Sequence, residues 1–194
     1  MKTMMTLAAV IVLSLSPLQA ATIDFDGLSA GDTVTVIDGV TFSSNVPGLD
    51  LVVSTGFDTT SPDNYLGIDD PFSGDVFLGG DEIYLDFGRD AGSLRVNFIS
   101  AGPAEAGDFS IITSSGTAAN AAVEDRALPD GGLVYAISFA SATPFNSAVL
   151  SSIFALTAFN IDDIAIDILD PVPEPGTAVL MLFGMLLFLN RRRS

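Results

Sequence analysis

The sequence predicts an all-β fold, an antiparallel β-sandwich or jelly roll, between an N-terminal signal peptide and a short C-terminal transmembrane helix. Three observations predict it. Between residues 21 and 170, short runs rich in β-branched and aromatic residues are punctuated by Gly, Asp, Ser, Thr and Asn, a pattern of strands and turns. Strict alternation marks 82–87 (Ile83, Leu85 and Phe87 on one face), 93–99 (Leu94, Val96 and Phe98 against Arg95 and Asn97) and 164–168 (Ile164, Ile166 and Ile168 against Ala165 and Asp167). Both ends of the chain carry apolar runs with positive charge beside them.

Residues 1–20 read as a secretory signal. Lys2 supplies the early charge and 7–15 the apolar stretch, which is short for a span of about 20 residues. Pro17 breaks the helix, and Leu18 and Ala20 take the −3 and −1 positions of a peptidase cut. Residues 21–170 then form one exported domain, large enough for a core of its own.

Within that domain the expected strands, in order, are 22–26, 33–37, 40–43, 51–54, 76–78, 82–87, 93–99, 109–114, 133–139 and 164–168. The segment 148–159 has helical length, but its Ser, Thr and Phe content favours an extended conformation. Turns at roughly 8–12-residue spacing suit a two-sheet sandwich. The stretch 57–71 reads as a mobile connector; it carries Tyr65, and its aspartates do not match the spacing of a calcium loop. Tyr84 and Tyr135 lie opposite the apolar faces of their strands and are candidates to point outward.

Charge and missing residue types exclude most chemistry. Of 24 acidic residues only Glu174 lies outside 21–170, and of seven basic residues only Arg89, Arg95 and Arg126 lie inside, giving a formal charge of −20. Such a domain repels nucleic acid. The chain has no Cys and no His, and its one lysine, Lys2, leaves with the signal peptide. That removes disulfides, thiolate metal sites and every His- or Lys-dependent nucleophile system. Carboxylate pairs are the acid–base chemistry that remains.

Two acidic pairs suggest a cation. Asp24 and Asp26 end the first strand, and Asp162 and Asp163 enter the last. First and last strands of a jelly roll are often neighbours, so the four carboxylates are candidate ligands for a structural calcium, which takes about six to eight oxygens.

The tail is the most specific feature. Residues 171–176 hold Pro173, Glu174 and Pro175, residues 177–189 are an apolar run, and Arg191, Arg192 and Arg193 follow. The prolines interrupt any preceding element, and the arginines mark the cytoplasmic side. Thirteen apolar residues make about 20 Å of helix against a hydrocarbon core of about 30 Å, a marginal span.

This tail resembles the PEP-CTERM sorting signal, also labelled an ice-binding-protein C-terminal domain, a label that carries no evidence of ice binding. The resemblance implies export in a Gram-negative bacterium that makes extracellular polysaccharide, and transient anchoring in the inner membrane. It also implies recognition by an exosortase, with processing near Pro173, Glu174 and Pro175. Upstream, Ile23–Leu28, Asn64-Tyr65-Leu66 and Phe159–Ile164 resemble other PEP-CTERM exoproteins, in a pattern common to galactose-binding-like jelly rolls generally. The expected protein is a non-catalytic binding or structural module of the cell surface or the biofilm matrix, with polysaccharide as a possible partner. Its alternatives are a secreted carboxylate-dependent glycan hydrolase and an inert, self-associating module.

Overall fold

A computed structural model describes residues 19–56, 58–61, 64–71, 75–153 and 158–169. Among them every regular element is a strand: β1 (Gln19–Ile23), β2 (Val36–Ile37), β3 (Val40–Ser44), β4 (Leu51–Ser54), β5 (Tyr65–Ile68), β6 (Glu82–Ser100), β7 (Phe109–Thr113), β8 (Gly116–Ala119), β9 (Arg126–Ala127), β10 (Leu133–Ser152) and β11 (Phe159–Ile168). All the pairings are antiparallel, in the order β4-β5-β11-β6-β10-β7-β8. On this path β1 adds to β11, β3 to β6, β2 to β3 and β9 to β10.

Two long strands organise the sheet. Over its first half β6 is flanked by β3 and the end of β10, and over its second half by β11 and the start of β10. The sequence encodes the break between these halves. Inward residues of β6 are odd-numbered at first (Ile83, Leu85, Phe87) and even-numbered later (Leu94, Val96, Phe98). A bulge must absorb that change of phase, and β10 shows it as register shifts between Ala140 and Ser147. Gly88, with φ of 63°, supplies the backbone freedom on the β6 side.

The inward faces of both halves share one core. Phe98 of β6 stacks on Phe109 of β7 at 5.1 Å, and Phe109 meets Phe159 of β11 at 5.4 Å. Phe87 packs edge-on against Phe145 across the bulge at 6.0 Å. Each buried Phe contributes about 2–3 kcal/mol of apolar burial. A smaller cluster of Ile99, Leu128 and Val134 lies on the other face.

Several details correct the sequence reading. The stretch 57–71 contains a strand, β5, paired with β4 and, through Leu66 and Ile161, with β11. Tyr65 is buried there rather than presented to solvent. Tyr135 is also buried, and its hydroxyl accepts the Ala104 N–H at 2.8 Å. Only Tyr84 of the three tyrosines faces outward. Of 76–78, Phe77 alone bridges, to Phe159. The segment 148–159 is extended where described, since β10 runs to Ser152.

Candidate functional site

β1 lies antiparallel to β11 with Ile23 opposite Ile164, so the first and last strands are neighbours. Just beyond Ile23 the chain turns at Phe25, whose φ of 62° is rare for an aromatic residue. Burial of the ring against Phe42, at 6.2 Å, holds that conformation. The turn leaves Asp24 and Asp26 outside the core, with the Asp26 N–H donating to Asp24 Oδ1 at 3.2 Å. Opposite them, β11 bulges between Asp162 and Ile164, and Asp163 takes a left-handed φ of 45°. An Asp tolerates that region better than a branched residue would.

Residues 58–61 cross over this bulge. Asp162 Oδ2 accepts the Thr60 N–H at 2.7 Å, the Thr60 hydroxyl at 2.6 Å and the Ser61 N–H at 3.1 Å. Its Oδ1 accepts the Ser61 hydroxyl at 3.0 Å and the Asp163 N–H at 2.8 Å. Asp163 Oδ2 shares that single Thr60 hydroxyl proton with Asp162 and accepts from the Asn97 amide at 3.1 Å. The segment is anchored at its other end too: Asp58 and Asp130 exchange backbone-to-carboxylate bonds of 3.0 and 2.8 Å. In its described part, therefore, this stretch is a pinned crossing rather than a mobile connector.

Asp162 is fully buried. Burial raises its pKa above the ordinary carboxylate range, Thr60 and Ser61 oppose the rise, and the Asp163 charge adds to it. The Asp26 pKa is also raised, first by desolvation and then by the Asp24 charge, with a smaller push from Asp163. The four aspartates singled out in the sequence thus share one electrostatic neighbourhood. Both oxygens of Asp162 are nonetheless occupied by donors, and among the described residues no three carboxylates converge to hold a metal ion. The arrangement does the work of a joint: one buried carboxylate ties β11 to the 58–61 crossing.

Sequence reasoning missed Thr60, Ser61 and Asn97. Their partners lie 66 to 103 positions away, and a Thr-Ser pair in a polar stretch carries no periodicity that would reveal it.

Beside the joint lies a polar cleft of about 240 Å³, lined by Thr60, Arg95, Asn97, Asp125, Arg126 and Asp163 above Val134 and Ala136. On the other half of the sheet, Ser43, Tyr84, Val149 and Ile112 fall in register across four strands and line a wider, shallow groove of about 460 Å³.

Of the signal-cleavage residues, Ala20 lies in β1 opposite Asp167, while Leu18 falls outside the described residues. So do Pro173, Glu174 and Pro175, the apolar run 177–189, and Arg191, Arg192 and Arg193. Among the described residues no helix is long and apolar enough to cross a membrane. A family model described as the PEP-CTERM protein-sorting motif matches residues 171–194. No curated protein matches the chain. The chain carries a PEP-CTERM sorting motif, which implies export, sorting to the cell surface and processing by an exosortase.

Proposed function

We propose that the chain is a non-catalytic surface or matrix module, a two-layer β-sandwich delivered by its sorting tail to the exopolysaccharide of a Gram-negative envelope. The sorting motif at 171–194 carries this reading. Strand pairing supports it: Gln19 lies opposite Ile168, so the segments preceding β1 and following β11 join the domain at the same end. The signal segment and the tail can therefore meet one membrane together. The aspartate joint and the polar cleft lie toward the far ends of β1 and β11, away from that attachment.

A hydrolase is the weaker reading. A general acid must reach its substrate, yet Asp162, a carboxyl whose pKa burial raises, is sealed beneath Thr60 and Ser61.

Protease treatment of intact producing cells tests surface delivery. The 21–170 domain is degraded or released from wild-type cells, and remains protected when 173–175 are replaced by alanine. Equal protection in both strains would refute the proposal.

A further inference from the structure

Two of the three arginines within 21–170, Arg95 and Arg126, line the cleft beside the aspartate joint. Strand register puts them there. Arg95 of β6 lies between Ala165 of β11 and Ser138 of β10, and Arg126 of β9 lies opposite Val134 of β10. Their neighbours are small, and both side chains are exposed.

In so acidic a domain these guanidiniums should be the first groups to find carboxylates. Asp125 and Asp163 line the same cleft, yet neither guanidinium forms an ion pair or hydrogen bond with a described residue. The carboxylates are held by other donors: Asp125 Oδ2 accepts the Ala136 N–H at 2.8 Å, and Asp163 Oδ2 is held by Thr60 and Asn97. Each carboxylate keeps further lone pairs for hydroxyl donors, and among the described residues each arginine keeps its planar fork of five N–H groups.

That mixture selects among ligand classes. A bare anion such as phosphate would meet two guanidiniums but would offer the carboxylates of Asp125 and Asp163 no hydroxyl donors. A neutral sugar would satisfy the carboxylates and leave the arginine forks unused. A ring bearing both a carboxylate and hydroxyls satisfies both, with a bidentate guanidinium–carboxylate pair and hydroxyls donating to Asp125 and Asp163. The volume of about 240 Å³ suits a single ring. We infer that this cleft binds the uronic-acid units of a polysaccharide, its two guanidiniums opposing locally the repulsion that the domain's net charge exerts on anions. The inference rests on the reading of the chain as a matrix module, and it names the sugar class that the module takes.

The test is calorimetric titration of the full-length chain, in nonionic detergent with EDTA, against tri-galacturonate and against neutral galactotriose. Tri-galacturonate should bind, and the Arg95→Gln/Arg126→Gln variant should weaken it by about tenfold or more, the scale expected for charge-assisted pairs. Circular dichroism checks that this variant is folded. Tyr84→Ala, in the separate groove, should leave uronate binding unchanged. Binding of both sugars alike, indifferent to the arginines, would overturn the inference while leaving the matrix reading standing. So would uronate binding that appears only when calcium replaces EDTA, since the cation would then bridge the acids. If neither sugar binds a protein that protease treatment shows to be on the surface, the sugar assignment fails and the sorting assignment survives.

Discussion

Thr60 and Asp162, 102 positions apart, are joined twice: the Thr60 N–H and hydroxyl both donate to one carboxylate oxygen, at 2.7 and 2.6 Å. With Ser61 they give a buried charge a full set of donors, and they pin the 58–61 crossing to the last strand.

Removing that carboxylate should cost more than removing any one donor. Asp162→Ala removes the acceptor of the part-buried N–H groups of Thr60, Ser61 and Asp163, and should lower unfolding free energy by about 2–4 kcal/mol. Thr60→Val removes the hydroxyl but keeps the N–H, and should cost about 1–2 kcal/mol. Urea unfolding checks both, and the double variant should fall short of the sum because the residues share an interaction.

Acid should stabilise the domain before it harms it. The native pKa values of Asp162 and Asp26 are raised, chiefly by desolvation, above an unfolded value of about 3.9. Between the unfolded and the raised native values, the native state binds more protons, so stability falls as pH rises through that window. Their contribution is fully present below the unfolded value and lost above the native one. Relief of repulsion in a domain of formal charge −20 acts in the same direction. The melting temperature should therefore rise as the pH is lowered from 7.5 toward about 4. Asp26→Asn should raise it at pH 7.5 and flatten the slope.

Gly67 of β5 is required for space. A Cβ there would lie 2.0 Å from the Asp75 carbonyl oxygen, a backbone atom that cannot turn aside. Gly67→Ala should cost upwards of about 3 kcal/mol, in the class of severe overpacking. Thermal unfolding reads this directly.

Much of the fold was legible because alternation is local. The apolar faces of 82–87, 93–99 and 164–168 fixed the core positions of β6 and β11, and the phase change between Phe87 and Leu94 encoded the bulge. The pairing of first with last strand was expected from the jelly-roll reading, and β1 does pair with β11, which brings the two Asp pairs together. β5 was not legible: Tyr65–Ile68 is four residues long among turn-formers, and its pairing with β4 and β11, not its own pattern, makes it a strand. Tyr135 was misread because residues of both parities are buried at the start of β10, Val134 by the smaller cluster and Tyr135 by the main core. The Thr60–Asp162 bond joins polar residues far apart in the chain, and hydrophobic patterning is blind to such contacts.

Signal cleavage should leave Ala21 as the first residue. β1 would then keep Ala21, Thr22 and Ile23 opposite Ile166, Ala165 and Ile164, and lose only the pairs of Gln19 and Ala20. N-terminal sequencing of the exported protein checks this, and a start beyond Ile23 would contradict it, because β1 would be gone.

The most direct test of the central claim is the C-terminal mass and cellular location of the protein from producing cells. Wild type should lack the apolar run and the arginine cluster, end near Pro173–Pro175, and fractionate outside the inner membrane. With Pro173, Glu174 and Pro175 changed to alanine, the chain should extend to Ser194 and remain in that membrane. Identical mass and location for the two proteins would contradict the account.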